Sequence, residues 1–237
     1  MSRIDTVQWG VDRLRVGPWR GDPTVAYIAV AAGPRPVDLA LDECLRGLAG
    51  TNYTRVLTAA LAPLEQRVFR DRGFTAHEHL HLLRHPMSSP IPRVAGTSRA
   101  RRRDRAAVLE VDHEAFDAFW RFDLAGLEDA RRATPAARFR VVRRPDVVGY
   151  AVTGRAGVIS YLQRLAVRPS RQRAGIGTAL VLDALNWAQR RGATSMLVNT
   201  QETNSGALAL YEHLGFVREA DGLDVLELPL PGGGTTT

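Results

Sequence analysis

A chain of 237 residues with 45% hydrophobic and 24% charged residues has the make-up of a globular protein with one large or two small domains. No apolar run is long enough to cross a membrane and the first residues carry no signal-peptide core; the single cysteine, Cys44, excludes an internal disulfide, so a cytoplasmic protein is expected. The net charge of +7 favours anionic partners, and all 32 Lys+Arg residues are arginine; the lack of lysine argues against Schiff-base and pyridoxal-phosphate chemistry.

In chain order, Thr24 to Val30 reads as a strand. A helical pattern around Leu39 to Asp42 runs to Gly50, with Cys44 beside Leu41, Leu45 and Leu48 as a small buried apolar residue. A strand at Thr54 to Ala59 and a helix end at Val68 to Phe74 follow. His77, His79 and His81 alternate along a further strand and share a face. Same-face neighbours stand ~7 Å apart, too far for three to share one ion easily, so a polar face and no metal are expected. Residues 87–102, rich in proline and serine, read as a linker; Arg93, Arg99, Arg101, Arg102, Arg103 and Arg105 crowd around Asp104 as a solvated linker and helix start, and nucleic acid is not expected as a partner.

Beyond the linker, Arg103 to Trp120 has a helical pattern, and Leu124 to Arg132 reads as a second helix. Arg138–Arg143 and Val147–Gly154 form a hairpin around Arg144-Pro145-Asp146, and a third strand runs from Val158 to Val167. Next come Arg168-Pro169 and the loop RQRAGIG, Arg171 to Gly177, in which Gln172, Gly175 and Gly177 spell Q-x-x-G-x-G. A helix from Thr178 to Arg191, a strand from Ser195 to Thr200 and a short helix ending in LYEHLGF, Leu210 to Phe216, complete the pattern. The loop joins a strand to a helix whose first amides have no intrahelical partner, which suits a phosphate or pyrophosphate. The spacing is neither the dinucleotide G-x-G-x-x-G nor a P-loop.

L-A-V-x-P, Q-x-x-G-x-G, Asn204 and L-Y-E-x-L-G-F in this order resemble the GNAT superfamily of acyl-CoA N-acyltransferases, closely over about 70 residues and loosely over about 130. The resemblance implies a mixed α/β (α+β) fold, a central sheet flanked by helices, and transfer of an acetyl group from acetyl-CoA to a primary amine of a small molecule or a protein. It implies that Gln172, Arg173, Ala174, Gly175, Ile176, Gly177 and Thr178 bind the pyrophosphate through backbone amides. Leu165, Ala166 and Val167 would hold the pantetheine arm through the strand edge, Asn204 would contact the coenzyme, and Tyr211 would protonate the departing thiolate. Asn204 also reads as a helix N-cap and Tyr211 as a packed aromatic. Ala174 departs from the usual residue before the first loop glycine. The base is unassigned among Glu110, Asp112, His113, Glu114 and Glu202, with Gln163 and Arg164 standing where some relatives carry a glutamate. The first two helices of this half would line the acceptor site, while Phe116, Phe119, Trp120 and Phe122 read as core.

The N-terminal part repeats this pattern. Thr24–Val30 parallels Tyr161–Val167 at an offset of 137, Asp42 parallels Asp183 at 141, and Phe69 parallels Tyr211 at 142. The missing residues fall in the loop, replaced by Ala31 to Asp38, where Pro34 and Pro36 lack an amide proton. The expected organisation is a degenerate GNAT-like unit at 1–86, a linker at 87–102, a catalytic domain at 103–230 and a disordered tail at 231–237. The alternative function is a coenzyme A-binding regulatory or nucleic-acid-associated protein without turnover; loss of loop and tyrosine in the N-terminal copy alone favours the enzyme.

Overall fold

The computed structural model describes residues 5–9, 12–30 and 38–231; side chains are described from Leu14 to Val30 and from Leu39 to Pro231. The shortened loop of the N-terminal copy, save its last residue Asp38, and the tail beyond 231 lie outside the described residues. The chain divides into two compact units, one of residues 1–80 with 221–237, the other of residues 81–220.

The first unit holds β1 (Asp5–Trp9), β2 (Asp12–Trp19), β3 (Asp22–Val30), α1 (Asp38–Ala49), β4 (Arg55–Leu61), α2 (Pro63–Arg70), the first half of β5 (Thr75–His85) and, from the far end of the chain, β12 (Leu223–Pro229). Its strand order is β1-β2-β3-β4-β12-β5, parallel between β3 and β4 and antiparallel elsewhere. α1 buries Ala40, Leu41, Cys44 and Leu48, the i, i+3/i+4 stripe of an amphipathic helix, against Ala26, Ile28, Val56, Phe69 and Leu226. Burial there raises the Cys44 thiol to about 11, so it stays protonated and serves as packing.

The second unit takes the end of β5 and then α3 (Arg105–Ala115), α4 (Leu124–Arg132), β6 (Ser98–Arg99), β7 (Ala136–Arg143), β8 (Val147–Ala156), β9 (Ile159–Val167), α5 (Ile176–Gln189), β10 (Ser195–Gln201), α6 (Ser205–His213) and β11 (Val217–Arg218). Its strands run β5-β10-β9-β8-β7-β6, with β11 on β5. α5 and α6 pack on one core with Leu162, Leu165 and Val198; α3 and α4 pack on another with Val141, Tyr150 and Ala166.

Three expectations change. The boundary of the C-terminal half falls at 220 rather than 230, because β12 lies between β4 and β5, with Leu228 opposite Val56 and Leu223 opposite Leu80. The stretch 87–102 is no free linker. Gln189 donates to the carbonyls of Met87 (3.1 Å) and Ser89 (2.8 Å), Asn186 donates to that of Pro92, and Thr97 donates to Asp183 at 3.0 Å, so polar side chains of α5 fasten it along the helix. Finally, the helix expected to reach Trp120 ends at Ala115; Phe116 is extended and a short 3-10 turn covers Ala118–Trp120.

The repeat holds in three dimensions. β3 and β4 pair in parallel in the first unit, as β9 and β10 do in the second. Val25 faces Arg55 and Ser160 faces Met196, giving offsets of 135 and 141. The strand offset therefore differs by two residues from the sequence alignment, which leaves every side chain on the same face of the pleat.

Candidate functional site

The site is built at the C-terminal end of β9. Arg168 leaves the strand with its amide on the Val148 carbonyl (2.9 Å), and Pro169–Arg171 makes one 3-10 turn. Arg173 and Gly175 then take left-handed backbone, φ 60° and 74°, and α5 starts at Ile176. Glycine accepts that conformation without cost; arginine does not. No side chain caps the helix, and the first helical bond runs from Ala179 N to Gly175 O. Six consecutive amides, Arg173 to Thr178, consequently donate to no described residue. Successive free amides at a helix N-terminus form a concave, positively polarised nest for an anion. Gln172 turns back, its Nε2 at 3.4 Å from the Val167 carbonyl. Gly177 also has a packing role: a Cβ there would lie 3.0 Å from Leu210 Cδ2 of α6.

Beside this nest the sheet opens. β9 and β10 pair from Ile159–Ser195 to Tyr161–Leu197 and no further, although β9 continues to Val167 and β10 to Gln201. On its other side β9 stays paired with β8, Ala151 opposite Leu165 and Gly149 opposite Val167. The β10-facing edge of Leu165–Val167 is thus left for another extended group.

Asn204 caps α6, its Oδ1 accepting from Ala207 N at 3.0 Å. Tyr211 is 4% exposed and packs on Phe216 with ring centroids 5.5 Å apart. Its hydroxyl has no hydrogen-bond partner among the described residues. Burial pushes the phenol well above its ordinary value, with the charge of Arg164 opposing the rise, so Tyr211 is protonated at neutral pH.

The base candidates separate. Asp112 is fully buried and accepts from Arg164 Nε (2.7 Å) and Nη2 (2.9 Å), from Phe122 N (2.7 Å) and from the Tyr150 hydroxyl. These four bonds fill its lone pairs, which removes it as a base. Glu110 and Glu114 pair with Arg168 at the surface, and His113 Nε2 lies 2.8 Å from the Phe122 carbonyl. Glu202 is exposed, one residue past β10. Phe116 and Phe122, expected as core, are half-buried and cover the Arg164 guanidinium at 3.5 and 4.0 Å.

Sequence reasoning missed the role of Arg164. Simple alternation puts it on the face of Leu162, towards α5. A β-bulge opposite Val152/Thr153 inserts Gln163 and reverses the phase, so that Arg164 and Ala166 face α3 and α4. Elsewhere, His77 Nδ1 lies 3.1 Å from Glu227 and His79 Nδ1 2.7 Å from Asp224, in cross-strand pairs on β12. Among the described residues no group of side chains is placed to hold a metal, and no helix is long and apolar enough to cross a membrane.

Comparison with known proteins agrees with this geometry. The acetyltransferase (GNAT) family model matches residues 103–216. A mycothiol acetyltransferase from Thermobispora bispora is 29% identical over 175 residues, 66% of this chain and 59% of that protein. The ribosomal protein bS18-alanine N-acetyltransferase of Escherichia coli is 31% identical over 78 residues, 33% of this chain and 53% of that one. The chain thus spans little more than half the length of these relatives. A tandem GNAT protein from the clavulanic acid biosynthesis pathway superposes with a TM-score of 0.65 at 15% identity, covering 97% of this chain and 83% of that one. That likeness is one of fold, a mixed α/β architecture in which one such unit precedes another.

Proposed function

The chain carries, at residues 103–216, a domain of the GNAT acetyltransferase family, and from this premise we propose that it is an N-acetyltransferase moving an acetyl group from acetyl-CoA to a primary amine. The observation that carries the reading is the run of six unpartnered amides, Arg173 to Thr178, beside the opened edge of β9. Six N–H groups at the positive end of a 14-residue helix fit a pyrophosphate, and the Leu165–Val167 edge fits the amides of a pantetheine arm. Asn204 spends its Oδ1 on capping α6 and keeps Nδ2 for the coenzyme. Bound acetyl-CoA supplies the thioester whose acetyl group moves to the amine.

The chain's own part is to hold and to protonate. The amine must be neutral to attack, and its surplus proton leaves to water. As nitrogen bonds to the acetyl carbon and the carbon–sulfur bond breaks, the Tyr211 hydroxyl gives its proton to sulfur and regains one from solvent. A phenol that burial keeps protonated, with no competing hydrogen-bond partner, suits that step. Acceptor identity belongs to α3, α4 and their connection, the part of the fold that differs between members of one family. A screen of amines and peptide N-termini with release of free thiol as readout tests the proposal. Thiol release that depends on both acetyl-CoA and an amine is expected; acetyl-CoA binding with no amine-dependent release would favour the non-catalytic alternative.

A further inference from the structure

Arg164 is more than nine-tenths buried, yet its hydrogen bonds use only part of the guanidinium. Nε and Nη2 grip Asp112, and Nη2 also donates to the Trp120 carbonyl at 2.7 Å. Nη1 donates to neither of these groups, and the further polar partner of the guanidinium is the Tyr150 hydroxyl, which itself donates to Asp112. Two rings within 4.0 Å of the same carbon can lie only on its two faces, so Phe116 and Phe122 fix the plane and leave the Nη1 edge as the open direction. Asp112 is held in turn by Tyr150 and the Phe122 amide, so the whole group is immobilised. A guanidinium so restrained is built to present donors to something that is not part of the chain.

Its place indicates what that is. Arg164 stands three residues beyond the last β9–β10 pair and one before the open edge at Leu165. It faces α3 and the connection to α4, and its charge is felt at Tyr211. The Nη1 edge therefore borders the space where an amine would meet the acetyl carbon. On the transferase reading above, we propose that Arg164 is the acceptor anchor, and that the acceptor is an amine with a neutral carbonyl oxygen on the adjoining carbon, an α-amino amide such as the N-terminal residue of a peptide. The shared chemistry of amino acids and peptides is this oxygen beside the amine. Charge separates them: Asp112 already neutralises Arg164, so a carboxylate would enter unbalanced whereas an amide carbonyl would not.

The test uses the full chain and compares alaninamide, free alanine and the branched alkylamine in which an isopropyl group replaces the carboxamide. Each kcat/KM is referred to the neutral amine. Alaninamide is expected to exceed the alkylamine by about 10- to 100-fold, the range for one charge-assisted hydrogen bond, and to exceed alanine. Arg164→Lys keeps a cation for Asp112 and loses the Nη1 fork, and should bring the alaninamide-to-alkylamine ratio close to one with acetyl-CoA still bound. A structural role alone would slow both amines equally and leave the ratio unchanged, which overturns the proposal. So does a wild-type ratio near one, which decides the matter even if the lysine variant does not fold. Preference for alanine over alaninamide overturns the neutral carbonyl. Absence of acetyl-CoA binding to the parent chain would instead strike the transferase reading itself.

Discussion

The two copies of the repeat end their helices in the same way and differ where chemistry would occur. Phe69 packs edge-to-face on Phe74 at 5.3 Å, and Tyr211 packs on Phe216 at 5.5 Å. In both, the second aromatic donates its amide to the carbonyl of the first, and the glycine between them, Gly73 or Gly215, has φ near 85° (84° and 87°). The ring is thus common packing; the hydroxyl is peculiar to the C-terminal copy. The parallel strands differ too. β3 and β4 stay paired through Ile28–Thr58, the counterpart of a pair between residues 163 and 199. β9 and β10 part at Tyr161–Leu197, two residues earlier. The N-terminal copy stays paired where the C-terminal copy opens, which teaches that the opened edge belongs to one copy and is not required by the shared fold.

The comparison can be broken most decisively by counting sites. One acetyl-CoA per chain is expected by calorimetry, and Gly177→Glu should abolish binding, since a carboxylate would repel phosphates and its stem would press on Leu210. Two equivalent sites would end the argument from the zipped strands. A smaller effect is expected of Tyr211→Phe, which gives the C-terminal copy the residue already found at Phe69. Packing should persist, KM for acetyl-CoA should move little, and kcat should fall by ~10²–10⁴-fold where chemistry limits the rate. A parent rate under those conditions would leave Tyr211 with packing alone.

The third contrast concerns stability. The equivalent aspartates each hold an arginine through two bonds, Asp42 with Arg72 and Asp183 with Arg138 (2.7 and 2.9 Å), but the Asp42 side chain is 47% exposed and that of Asp183 10%. Burial alone would raise the Asp183 carboxyl; the hydrogen bonds and charge of Arg138, with Arg140 and Thr97, outweigh it and keep it below 3.8. A depressed carboxylate stabilises the fold above its unfolded value and loses that contribution as pH falls through the folded one. Asp183→Asn should cost about 3 kcal/mol in urea unfolding at neutral pH and remove the corresponding loss below pH 3.8. Asp42→Asn should change little, and equal costs at the two sites would contradict the burial difference.

What the amino-acid sequence determined by itself is local. Apart from the two-residue β6, the order of strands and helices from Thr24 to His213, with the glycine loop, the Asn204 cap and the aromatic pair at Tyr211 and Phe216, rests on neighbouring residues and appears in their periodicity and turn chemistry. The N-terminal hairpin β1–β2 escaped because β1 is only five residues long and Gly17-Pro18 inside β2 reads as a turn. Only the tertiary structure decided the rest. β12 joins β4 and β5 across more than 140 residues, Leu223 to Leu80; strand pairing is made of backbone bonds that no side-chain pattern names. The bulge at Gln163 turned Arg164 from one face of the sheet to the other, and Asp112, 52 residues away, received it. A single inserted residue reverses every later side chain of a strand. The partner that makes a buried arginine tolerable is chosen by proximity in space, which spacing along the chain does not carry.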